Sequence, residues 1–237
     1  NTAIGYRALR KNTGGSEGTA IGSQALTEVT TGVQNVGIGF VAGGSITTGN
    51  SNIAIGSYSL DATTTGSSNV AVGNSSLSAN TTASNNTAIG NSALTANTSG
   101  TQNVAVGANA LDANTTASNN TAVGYNSLGV NTTGALNTAV GKDALAANTT
   151  ADNNTGIGHA ALIVNTTGSE NTALGRGALA SNTTADNNTA VGYFALLSNT
   201  TGTNNVAVGA NALDACTVGS SHTAVGKDAL GSVTNGN

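Results

Sequence analysis

A single glycine recurs every 17 residues along the whole chain, at Gly5, Gly22, Gly39, Gly56, Gly73, Gly90, Gly107, Gly124, Gly141, Gly158, Gly175, Gly192, Gly209 and Gly226. No step carries an insertion or deletion. The chain has 237 residues, one fewer than fourteen whole copies. A fixed period of this size is the signature of a repeat architecture, in which each unit stacks on its neighbours and none stands alone. The expected organisation is therefore one repeat domain over 1–237. The chain opens without Met at the first position of a copy and stops one residue short of a whole one. That predicts a segment of a longer fibre.

With the glycine as position 5, the copies align on Asn120 to Leu136, N-T-A-V-G-Y-N-S-L-G-V-N-T-T-G-A-L. Position 1 is Asn in nearly every copy and reads as a turn residue, which His222 replaces once. Position 2 is Thr, Val or Ile, position 3 only Ala or Gly, and position 4 only Ile, Val or Leu. This is a short strand of period two. The interchange of Thr with Val at position 2 predicts that positions 2 and 4 face inward. The small residue at position 3 predicts close approach of another surface. The glycine then ends the strand, where a positive φ is available to it.

Position 8 is Ala or Ser, and position 9 is Leu except at Gly43. Position 12 is Asn at Asn80, Asn97, Asn114, Asn131, Asn148, Asn165, Asn182 and Asn199, and elsewhere includes Val29, Ile46, Thr63, Cys216 and Val233. Asn exchanging with apolar residues predicts an inward amide ladder, because a buried amide must find partners. Position 13 is always Thr: Thr13, Thr30, Thr47, Thr64, Thr81, Thr98, Thr115, Thr132, Thr149, Thr166, Thr183, Thr200, Thr217 and Thr234. It is expected to face outward. Val218 hints that position 14 faces in. All sixteen charged residues fall at positions 6, 7, 10, 11, 16 and 17, the variable and therefore solvated ones. From Asn80 onward, T-T-A-[SD]-N-N and T-[TS]-G copies alternate, as after duplication of a 34-residue unit. The third copy, with Gly43, is the most degenerate and predicts a local irregularity.

Two short strands per copy, turns at Gly and Asn, and like residues in register predict an all-β fold, a parallel β-solenoid of fourteen coils. Helical repeats are longer, and Asn, Thr, Gly and Val are weak helix formers. The absence of Pro agrees with a backbone whose N–H groups are committed to ladders.

The N-T-A-V-G and N-V-A-V-G strands, each followed by x-x-[AS]-L, resemble the head repeats of YadA-like trimeric autotransporter adhesins. The full N-T-A-V-G-x-x-A-L-x-x-N-T-T-G-x-x unit is also similar to repeats in phage-tail-fibre-like and bacterial surface proteins. The resemblance covers the whole chain. It implies a left-handed β-roll, trimerised along its axis, in an extracellular, cell-surface or virion fibre. The repeat here is longer than the usual adhesin unit, and its extra residues carry the Asn-Thr-Thr segment.

A net charge of −4 argues against nucleic acid as a partner. No apolar run approaches a membrane span. Catalysis finds no support. His159 and His222 lie nearly four coils apart, no acidic pair recurs, and scattered Asp does not match a calcium-binding repeat. No metal or cofactor is expected. Cys216, at inward position 12, reads as a buried thiol filling an Asn slot.

Thirteen N-x-[ST] sequons occur. Eight use the inward position-12 Asn. Asn85, Asn119, Asn153 and Asn187 at position 17, with Asn74 at position 6, are the plausible glycan sites. The aromatics Tyr6, Phe40, Tyr58, Tyr125, Tyr193 and Phe194 sit at positions 6 and 7, where their irregular spacing suits covered corners better than a binding track.

The Thr row at position 13 admits three readings: a contact between copies, an ice-binding face, or plain strand chemistry. An ice-binding face calls for two parallel outward rows, and only one is evident. The expectation is a non-enzymatic structural and adhesive fibre segment that trimerises or packs end to end. Its surface could meet a host-surface glycan or protein receptor. An ice-binding solenoid and a lectin-like glycan-binding module are the alternatives.

Overall fold

A computed structural model describes residues 1–235. The chain is all-β and divides into two units, Asn1–Asn119 and a second from Asn120 onward. The first holds β1 (Thr2–Ile4), β2 (Thr19–Ile21), β3 (Val36–Ile38), β4 (Ile53–Ile55), β5 (Val70–Val72), β6 (Thr87–Ile89) and β7 (Val104–Val106). The second holds β8 (Thr121–Val123), β9 (Thr138–Val140), β10 (Thr155–Ile157), β11 (Thr172–Leu174), β12 (Thr189–Val191), β13 (Val206–Val208) and β14 (Thr223–Val225). Within each unit every strand pairs in parallel with the next, residue for residue one repeat on. Ala3 lies opposite Ala20 and Thr121 opposite Thr138. Each unit is a parallel β-solenoid, as the period requires.

There is one strand per coil, three residues long, and not two. The remaining residues turn too sharply to be extended. Positions 7, 9 and 17 adopt positive φ, as at Asn126 (φ 56), Leu128 (φ 51) and Leu136 (φ 60). The coils still bond to each other around those turns. Leu128 N–H donates to Ala144 O at 3.1 Å, and Thr132 N–H to Thr149 O at 2.9 Å.

The facing of the strand is the reverse of the expectation. Position 3 points inward: Ala20, Ala54, Ala88, Ala122, Ala139 and Ala190 are wholly buried. Positions 2 and 4 point outward and are half-buried to exposed, Leu174 at 44%. Ala is required at position 3 because the interior is narrow and is already filled by Leu from position 9. A Cβ at Gly156 would meet Leu145 Cγ at 3.2 Å. The Thr/Val interchange at position 2 reflects a strand surface where β-branched residues pack beside each other in water. It does not mark burial.

Position 9 supplies the core, as expected. Leu26, Leu60, Leu77, Leu94, Leu111 and Leu128 are fully buried, and the row continues through the second unit. Each such burial contributes roughly 1.5–3 kcal/mol. Holding a non-glycine residue left-handed costs about 1–2 kcal/mol. One coil gains little from its Leu alone, so the fold depends on stacking. The third copy keeps full register, with β3 paired to both β2 and β4. Gly43 takes the same left-handed conformation (φ 60) that Leu holds elsewhere, so the expected irregularity is absent.

The period-setting glycine is fixed twice over. At Gly158 φ is +132°, and a Cβ there would lie 2.5 Å from Gly175 O in the next coil. Both backbone conformation and close stacking exclude a side chain.

Candidate functional surfaces

The interior holds two amide ladders. Position 12 forms the expected one. Asn97 Nδ2 reaches Asn80 Oδ1 at 3.3 Å, Asn148 Nδ2 reaches Asn131 Oδ1 at 2.8 Å, and Asn182 Nδ2 reaches Asn165 Oδ1 at 2.8 Å. Position 1, read from sequence as a turn residue, forms the second and is equally buried. Asn52 donates its N–H and its Nδ2 to Asn35 Oδ1 at 3.0 and 3.1 Å. Its near-invariance was the available signal, but Asn is so common in turns that the signal was ambiguous.

Both ladders converge on the carbonyl of position 15 in the same copy. Gly100 O accepts from Asn86 Nδ2 at 2.9 Å and from Asn97 Nδ2 at 3.0 Å. Ala185 O accepts from Asn171 Nδ2 at 2.8 Å and Asn182 Nδ2 at 3.1 Å. A buried carbonyl has two lone pairs, and here both are used. His222 substitutes within the position-1 ladder, with Nδ1 at 3.1 Å from Asn205 Oδ1.

The position-12 ladder of the second unit stops at Asn199. Its Nδ2 donates to Asn182 Oδ1 at 3.1 Å and Gly202 O at 2.9 Å. Its Oδ1 is buried with no hydrogen-bond partner. The next coil places Cys216 in that slot, fully buried, with Sγ 3.8 Å from Gly219 O. Burial pushes this thiol above its ordinary range. It is a poor nucleophile there.

The Thr row at position 13 is not a free hydroxyl face. It is mostly half-buried. Within each unit the hydroxyls donate to the carbonyl of the next Thr: Thr30 to Thr47 at 3.2 Å, Thr149 to Thr166 at 3.1 Å, Thr166 to Thr183 at 3.0 Å. Position 14, expected inside, is exposed in every copy, Val218 included at 50%. Position 16 is also structural. Asp152 Oδ1 accepts from Ala135 N–H, and Asp186 Oδ1 from Ser169 N–H, both at 2.7 Å.

The sequon residues divide as read. Asn74, Asn85, Asn119, Asn153 and Asn187 are exposed, and the position-12 residues are buried. The aromatics pair locally: Phe40 meets Tyr58 edge-on at 5.3 Å between ring centres, and Tyr193 lies 4.1 Å from Phe194, with Arg176 over both. His159 stands exposed at position 6. Glu28 accepts from Lys11, which lowers its pKa below the usual carboxylate range, with Arg10 at 3.6 Å adding to this. Among the described residues there is no pocket and no group of three or more side chains arranged for a metal ion.

These surfaces define a tandem-repeat parallel β-solenoid whose polar interior is consumed by its own ladders. No family model, curated protein or solved structure matches this chain.

Proposed function

We infer that this chain is a non-enzymatic structural segment of an extracellular fibre, a repeat element that lengthens by stacking copy on copy. The observation that supports it is the identity of successive coil surfaces. Through most of the second unit each coil offers its neighbour the same strand edge, the same amide ladders and the same Thr hydroxyl row, in register. Surfaces that stack coil on coil are complementary to themselves, so they also suit stacking of chain on chain. An open strand edge is a standing template for such pairing. Charged side chains are confined to the variable positions.

The homotrimer implied by the adhesin-like repeat is the competing arrangement, with copies side by side and not end to end. Native mass by light scattering, with electron microscopy of the same sample, separates the two. Filaments whose mass per length matches one solenoid support end-to-end stacking, and discrete three-chain particles support the trimer. A monomer at high concentration would refute self-association altogether. Contact with a host glycan or protein receptor falls to the exposed rows at positions 6, 14 and 17.

A further inference from the structure

We propose that the outward face of strands β8–β12 is an ice-binding surface. Five consecutive coils place Thr at position 2: Thr121, Thr138, Thr155, Thr172 and Thr189. Two residues on, the same strands carry Val123, Val140, Ile157, Leu174 and Val191. The pairing sets Thr opposite Thr and aliphatic opposite aliphatic in successive coils. The intervening Ala or Gly points inward. The result is two parallel outward rows, one of hydroxyl and methyl, the other of methyls alone.

The hydroxyls distinguish this face from the position-13 row. Those of position 13 are committed to carbonyls one coil away. Those of Thr121, Thr138, Thr155, Thr172 and Thr189 make no such bond to the described residues and face outward, half-buried to exposed, where water can reach them. The strand backbone beneath them is held in the ladder from both sides at β9 to β12, which makes the array stiff.

Parallel strands place like residues about 4.8 Å apart across the ladder, and positions 2 and 4 about 6.6 Å apart along it. Ordinary ice repeats its oxygen atoms at comparable intervals in its crystal planes. Water held by one Thr hydroxyl and fenced by flanking methyls then occupies a site close to a lattice position. Each contact is weak, and five coils supply it repeatedly at fixed spacing, the arrangement that turns weak contacts into avidity. The strands carry no charged, aromatic or amide side chain that would read a peptide or a sugar. This inference stands apart from the fibre reading, since end-to-end stacking leaves the strand face in water.

The test uses the full chain. Thermal hysteresis and the habit of a single ice crystal are measured for the parent, for Thr138→Tyr with Thr155→Tyr, and for Thr150→Tyr with Thr167→Tyr on the exposed position-14 row. Native mass and circular dichroism are recorded for all three. The parent is expected to facet the crystal and show hysteresis, the strand-face pair to lose both, and the position-14 pair to retain both. Unshaped crystals with the parent, or activity surviving in the strand-face pair, overturn the proposal. So does an oligomer that the strand-face pair dissociates, because the face would then belong to a second copy.

Discussion

Replacing Cys216 with Asn is expected to stabilise the protein. In the second unit each position-12 Oδ1 below Asn199 receives a donor from the coil that follows, as Asn165 does from Asn182 and Asn182 from Asn199. Asn199 Oδ1 receives none, because a thiol occupies the slot above it. A buried acceptor left without a partner costs about 1–3 kcal/mol. An amide introduced by Cys216→Asn would supply an Nδ2 to Asn199 Oδ1. It would also replace the weak Cys216 Sγ–H donor to Gly219 O with an amide, beside Asn205 Nδ2 at 2.8 Å. Its own Oδ1 would face the half-buried Val233, where water is nearer and the unpaired acceptor costs less. The net gain works out at roughly 1–2 kcal/mol. Urea unfolding at fixed protein concentration reads it, with amide exchange around Asn199 and Thr217 locating it. Cys216→Val is the control, since it fills the slot without a donor. If the Cys216→Asn and Cys216→Val proteins unfold at the same urea concentration, the reasoning about the orphaned oxygen is wrong.

Other outcomes follow from the same geometry. Gly158→Ala meets both a positive φ and a backbone oxygen, whereas Gly226→Ala (φ +124°) meets only Ala229 Cβ at 4.0 Å. Backbone strain alone costs about 1–3 kcal/mol, so calorimetry should show the Gly158 variant destabilised by more than the Gly226 variant; equal losses would remove the stacking argument. Leu136 is 56% exposed at φ 60, a conformation that Asn tolerates better; Leu136→Asn is expected to raise stability by about 0.5–1 kcal/mol, and a lower urea midpoint would contradict this. Leu162→Ala, in the buried row, should cost about 2–5 kcal/mol, with a smaller loss implying that the coil collapses onto the cavity. Burial raises the folded-state pKa of Asp112 against the opposing pull of its own and Ala113 N–H groups. Its ionised form therefore opposes folding, a penalty absent below the unfolded pKa that grows as pH rises through the folded one. Asp112→Asn should accordingly be the more stable protein at neutral pH, with the gain shrinking to nothing in acid, and a pH-independent difference would contradict that assignment.

The period, the solenoid, the Leu row and the position-12 amides were legible in the sequence because each rests on substitution across copies. Val29, Ile46 and Cys216 reveal the environment of the Asn slot in a way no single copy could. The strand facing was misread because Thr exchanging with Val at Thr19 and Val36 is equally natural on an outward β-surface. The small position-3 residues carried the decisive clue: Ala20 and Ala54 are small because Leu fills the interior beside them. The left-handed Leu at position 9 left no trace, since burial outweighed the preference of that conformation for Gly or Asn. Gly43 was the one copy that showed it, and it read as degeneracy. At position 17 the run of Asn85, Asn119, Asn153 and Asn187 did carry a conformational signal, for Asn enters this region more readily than most residues.

The carbonyl at position 15 acts as a ruler. Asn69 and Asn80 reach Ala83 O from 14 and 3 residues upstream, so one oxygen gauges the circumference of its coil from two directions. A copy one residue longer or shorter would bring one of those amides to the wrong place and leave two buried polar groups unmatched. Selection on such a chain admits growth or shrinkage only in whole copies. That accounts for a sequence in which substitutions have accumulated freely at the corners while fourteen glycines have kept step without a single slip.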